Sequence, residues 1–119
     1  MKITLLLLIC CVTIANVDAV LNDFMRVGHY KGYIGCFVDD RHRLLRHYGG
    51  GHHMTLGKCR HLCKGYKYLG LQFAWQCFCG NHLNYRVYPQ SSELQCNMPC
   101  SAESHRMCGS GWRNSVYKV

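Results

Sequence analysis

Apolar residues are distributed along this chain in two ways, as one nearly unbroken run at the start and then as short periodic segments. The run covers residues 3–14 and is too short to span a bilayer, which needs about 20 residues. Lys2 precedes it, and the small residues Val17 and Ala19 follow. A basic start, a short apolar middle and a Val-x-Ala ending describe a secretory signal peptide over residues 1–19, cleaved after Ala19. A membrane anchor would carry a basic flank where Asn16 and Asp18 stand, and no later stretch is apolar enough to span. Residues 20–29 are a lead-in without periodicity, and the domain proper is placed at residues 30–119.

Within the domain, residues 33–38 (Tyr-Ile-Gly-Cys-Phe-Val) are rich in strand formers and run into the turn-prone pair Asp39-Asp40. Residues 41–53 read as a basic loop with Arg41, Arg43, Arg46, the four histidines His42, His47, His52 and His53, Tyr48, and three consecutive Gly. A helix is predicted over residues 54–65, where Thr55 can cap, Leu56, Cys59 and Cys63 recur at helical spacing, and Gly65 suits the stop. Leu69, Leu71 and Phe73 then alternate with other residues, and Cys77-Phe78-Cys79 alternates again. This predicts a hairpin packed on the helix, with Trp75 at its tip. Residues 81–111 read as loops holding two cysteine clusters, and residues 114–119 as a short closing strand.

The ten cysteines change the picture most. Cleavage after Ala19 removes Cys10 and Cys11, leaving an even set of eight in a chain headed for an oxidising compartment. Cys59 and Cys63 are four apart on a helix, about 6 Å along its axis, and share a face. Cys77 and Cys79 are two apart on a strand, about 6.6 Å, and also share a face. Two rungs of matched spacing can staple helix to strand, in either order. For Cys36, Cys96, Cys100 and Cys108 three pairings remain open. A zinc site built from these thiols and His52-His53 is set aside, because the spacings are not those of zinc modules and exported thiols pair. No metal or cofactor is expected.

These residues resemble the WSC domain family. The resemblance runs through Tyr33-Ile34-Gly35-Cys36, Asp39, Arg43-Leu44, Met54-Thr55, Cys59, Cys63, Tyr68, Gly70 and Cys77-Phe78-Cys79-Gly80-Asn81. It continues through Cys96-Asn97-Met98-Pro99-Cys100, Cys108-Gly109 and Ser115-Val116-Tyr117. Ala102 and Ser110 stand where glycine is usual in the family. The resemblance implies an α+β, disulfide-rich fold, an antiparallel β-sheet crossed by one α-helix and similar to PAN and apple modules. It also implies four disulfides, Cys59 with Cys77, Cys63 with Cys79, Cys36 with Cys96 and Cys100 with Cys108.

The family implies a secreted, carbohydrate-binding module recognising extracellular polysaccharide or glycan. Sugar recognition needs aromatic faces for the C–H side of a pyranose and fixed polar groups for its hydroxyls. Trp75 and Tyr48 are the candidate exposed rings, Tyr85, Arg86 and Tyr88 a second aromatic and basic cluster, and Arg43 belongs to the basic loop. Each ring can equally be core packing in a small domain. The net charge of +8, unchanged by cleavage, favours an anionic glycan partner. Export and the lack of nucleic-acid motifs argue against nucleic acid. Catalysis is not expected, since the few carboxylates include only the adjacent pair Asp39-Asp40, which reads as a turn. The alternative function is an extracellular protein-interaction or matrix component.

Overall fold

The computed structural model describes residues 32–119, so the segment assigned to the signal peptide and lead-in lies outside the described residues. Seven strands and one helix follow in order. They are β1 (Tyr33–Val38), β2 (His47–Gly50), α1 (Leu56–Leu62), β3 (Tyr68–Gln72), β4 (Gln76–Gly80), β5 (Pro99–Cys100), β6 (Glu103–Met107) and β7 (Arg113–Lys118), with a 3₁₀ turn at Glu93–Gln95 before β5. Five of the strands form one sheet in the order β1-β7-β3-β4-β2, antiparallel at every pairing. Among the described residues no helix is long and apolar enough to cross a membrane.

Alternation along the strands divides the core between the two faces of this sheet. Leu69 and Leu71 of β3 and Cys77 and Cys79 of β4 face α1, where they pack with Met54, Leu56, Cys59 and Cys63. The other face presents Phe78 and Val116 to Phe37, Leu44, Leu45 and Tyr88. Helix α1 starts where Thr55 Oγ1 accepts a hydrogen bond from Lys58 N, a cap for one of the free first-turn amides. Glu103 of β6 takes the Leu56 amide at 3.0 Å, so the small β5–β6 hairpin closes the same helix end. The helix and β4 run the same way, and the bridges are Cys59–Cys77 and Cys63–Cys79. The others are Cys36–Cys96, tying β1 to the 3₁₀ turn, and Cys100–Cys108 across the β5–β6 hairpin.

Two segments differ from the sequence reading, whereas the closing strand is present at Arg113–Lys118. The loop assigned to residues 41–53 contains the edge strand β2, whose Tyr48 pairs with Phe78 and Gly50 with Cys77. Its glycines mask it as a turn but are there for close approach: a Cβ on Gly49 would lie 3.0 Å from Cys79 Sγ. Residues 81–111, read as loops, contain the β5–β6 pair. The closing strand lies at the sheet interior between β1 and β3, with Asn114, Ser115, Val116 and Tyr117 all buried.

Candidate functional site

The face of the sheet away from α1 carries the candidate site, and a buried carboxylate organises it. Asp39, at the end of β1, accepts hydrogen bonds from Leu44 N (2.7 Å), Asp40 N (2.9 Å) and Asn114 Nδ2 (2.9 Å). Its Oδ2 also holds Arg43 Nη1 at 3.3 Å. The Gln72 amide nitrogen reaches the same oxygen at 2.8 Å in the orientation that satisfies both groups. An acceptor-only group buried at 4% exposure is stable in such a ring of donors. The consequence is a tight loop in which Arg43 adopts φ 70° and places its guanidinium over two rings. Its central carbon is 4.5 Å from the Phe78 centroid and 5.0 Å from that of Trp112.

Trp112 stands on the turn before β7 at φ 54°, and its carbonyl accepts from Asp39 N at 3.0 Å, which locks turn and loop together. Tyr48 of β2 lies 5.4 Å from Phe78 on the other side, with tilted rings. Phe73, on the β3–β4 turn, shares with Trp112, Arg43, Gln72, Gln76 and Gly111 a groove of about 230 Å³. The Ala74 amide, bonded to Cys108 O at 3.0 Å, pins that turn to the β5–β6 region. The result is a shelf Tyr48–Phe78–Arg43–Trp112–Phe73. Tyr48, Phe73 and Trp112 are 50%, 45% and 48% exposed, while Phe78 and Asp39 anchor it from below. Exposed large rings held in one place by buried partners form a surface for the apolar side of a ligand, with the part-exposed Gln76 amide beside it.

Of the residues singled out from the sequence, Tyr48 and Arg43 come together here. Trp75 does not: it is half-buried, packs on the helix-side core and stacks on His52 at 5.4 Å with 8° between the planes. Tyr85 is exposed but leans on Phe37, at 5.6 Å, and Arg86 is exposed with no contact to the shelf. Tyr88, grouped in the sequence with Tyr85 and Arg86 as a ligand-binding candidate, does not share their exposure. It is buried in the second core cluster, and its hydroxyl donates to Asp40 Oδ1 at 2.8 Å. Burial, and then that hydrogen bond, push its phenol up to about 12. Phe73 and Phe78 carry only the alternation of the hairpin in the sequence, yet Phe73 leaves that pattern at φ 53° on the turn, and Trp112, an exposed ring on a turn, has no periodicity to announce it. The Gly111-Trp112 step just before the last strand is the one available cue.

The sulfurs of Cys59, Cys63 and Cys77 lie within 4.8 Å of one another. All three are consumed in disulfides, and a bridged sulfur is not a thiolate ligand.

The sequence profile of the WSC domain matches residues 33–110. A WSC domain-containing protein of Arthroderma benhamiae is 38% identical over 65 residues, 55% of this chain and 9% of that protein. Human Kremen protein 2 is 30% identical over 95 residues, 76% of this chain and 21% of that protein. The xylosyltransferase oxt of Drosophila melanogaster is 33% identical over 94 residues, 72% of this chain and 10% of that protein. The chain thus spans between about a tenth and a fifth of the length of these three relatives. With its sheet, its single helix and all eight described cysteines bridged inside the matched span or at its edge, the chain belongs to the WSC domain family.

Proposed function

We propose that this domain is an exported, non-catalytic module that binds extracellular polysaccharide by seating a sugar ring on the Tyr48–Phe78–Arg43–Trp112–Phe73 shelf. The observation that carries the reading is the set of three half-exposed rings fixed around the buried Asp39 carboxylate and its part-exposed partner Arg43. Their positions are set before any ligand arrives, so little ordering entropy opposes binding. The carboxylates among the described residues support a non-catalytic role, since each has a structural task. Asp39 organises the loop, Asp40 accepts from Tyr88, Glu93 accepts from Tyr33 and from Cys36 N, and Glu103 caps α1. The N-terminal pattern and the disulfide framework support export.

The test is retention of the oxidised domain on insoluble β-glucan, xylan and chitin at low and high salt. Trp112→Gly is the informative variant, because it removes the ring while suiting the left-handed backbone at φ 54°. Salt-resistant retention that falls roughly tenfold or more in Trp112→Gly and in Tyr48→Ala supports the shelf. Failure of the domain to bind any of the polysaccharides, or full retention by both folded variants, overturns it.

A further inference from the structure

Arg43 borders a second groove of about 480 Å³ on its other side, and the chemistry of that groove differs from the shelf. Its lining includes Arg46, His47, His82, Asn81 and Asn84, and no Asp or Glu. The acceptor ends of both asparagines are committed to the backbone. Asn81 Oδ1 takes the Lys67 amide at 3.0 Å, and Asn84 Oδ1 takes the Val87 amide at 3.4 Å. Each oxygen thus has one of its two acceptor sites taken, whereas both donors of each NH₂ make no hydrogen bond among the described residues, which tilts what is left toward donors. Arg46 is exposed and makes no ion pair or side-chain hydrogen bond among the described residues, and the same is true of His82. His47 stacks on Tyr66 at 5.0 Å, a contact that uses the ring face and leaves its nitrogens free. The carboxylate next door, Asp40, is engaged by the Tyr88 hydroxyl.

A recess whose uncommitted groups are overwhelmingly donors selects an acceptor-rich, anionic ligand group. We propose that this groove binds a carboxylate or sulfate carried by the glycan, with Arg46 as its main charge partner and Arg43 as the wall between the two subsites. The proposal rests on the polysaccharide reading above and narrows it to acidic glycans. A sugar on the shelf then places the charged substituent of its neighbour in the donor-lined groove, so one ligand uses both.

Calorimetric titration of the full oxidised domain separates the two claims. The probes are a neutral β-glucan oligosaccharide, the same oligosaccharide oxidised to uronate, and its sulfated form, all at about 0.15 M salt. The expected result is that at least one charged form binds about tenfold or more tighter than the neutral one. Which of the two gains identifies the anion as carboxylate or sulfate. Arg46→Gln, alone and with His82→Ala, removes that advantage and leaves neutral binding unchanged, whereas Lys118→Gln, outside the groove, preserves it. Equal affinity for all three probes overturns the groove and leaves the shelf. An equal loss in Arg46→Gln and Lys118→Gln overturns it too, as bulk charge attraction. Binding of the charged forms alone, still dependent on Arg46, upholds the groove and overturns the shelf. Binding of none overturns both.

Discussion

The Arg43 guanidinium is tethered to the buried Asp39 carboxylate at 3.3 Å and sits over the rings of both Phe78 and Trp112, 4.5 and 5.0 Å from their centroids. One residue therefore decides the stability of the loop and the shape of the surface above it.

Asp39→Ala removes the acceptor for the Leu44 and Asn114 donors and strands Arg43 beside a hydrophobic cluster. Breaking a buried, multiply bonded charge costs roughly 3–5 kcal/mol. The expected outcome in a urea titration is a lower midpoint at unchanged slope, the product of slope and midpoint shift giving a loss of that size. Arg43→Ala leaves Asp39 with its neutral donors, so its loss of stability is smaller while its effect on ligand retention is at least as large.

The four disulfides close loops of very different length, with sequence separations of 60 for Cys36–Cys96, 18 for Cys59–Cys77, 16 for Cys63–Cys79 and 8 for Cys100–Cys108. Loop-closure entropy in the unfolded chain predicts losses of about 4, 3, 3 and 2.5 kcal/mol respectively when each pair is replaced by alanine. The measurement is chemical denaturation of the four double variants. Finding Cys100–Cys108 the costliest would show that native packing of the β5–β6 hairpin, and not chain entropy, sets the order.

The helix-to-strand staples were legible because helix and strand each have a fixed period, which brings Cys59 and Cys63 into register with Cys77 and Cys79. Spacing left the order open, and the shared direction of α1 and β4 selects it. Strand β2 was hidden because the residues that suit its position over the disulfides are glycines, which read as turn signals. Strand β6 was hidden because only Glu103 and Arg106 of its five residues are even partly buried, so it has no apolar face to announce. The site was half legible. Tyr48 and Arg43 stand out by type, but Trp112 joins them through a backbone hydrogen bond from Asp39 that is remote in sequence. For Tyr88 the sequence left a ligand contact and core packing both open, and the ring is in the core.

Acid should loosen the junction between β6 and α1. Burial acts to raise the Glu103 carboxyl, but the hydrogen bond from Leu56 N and the Arg106 pair outweigh it and hold the group below its ordinary 4.5. A depressed carboxyl contributes stability that is present above the unfolded value and is lost as pH falls through the folded one. Stability should therefore decline below about pH 4.5, as Glu103 loses its charge. Glu103→Gln is expected to be less stable than the parent near neutrality and to show a shallower acid limb in thermal melts from about pH 7 to pH 3. Parallel acid limbs in the two proteins would remove Glu103 from the account.

Two glycines with left-handed backbone should respond very differently to the same substitution. Gly65, after the helix, sits at φ 96° with nothing within 4 Å of where a Cβ would be. Gly65→Ala meets only the conformational penalty of that region, roughly 1–2 kcal/mol. Gly109, right after Cys108, sits at φ 62°, and its Cβ would overlap the carbonyl oxygens of Arg113 and Leu71 and come within 3.0 Å of Gln72 Cα. These are backbone atoms of β3 and β7, which cannot rotate aside as a side chain would. Its amide, meanwhile, donates to Ser115 Oγ at 3.0 Å, so moving the segment also breaks a buried hydrogen bond. The conformational penalty, the overlap and the lost bond act together, so Gly109→Ala should cost well over 3 kcal/mol and lower the yield of correctly bridged protein. Comparable thermal midpoints for Gly65→Ala and Gly109→Ala would mean that the β6–β7 connection yields more readily than its packing against β3 implies.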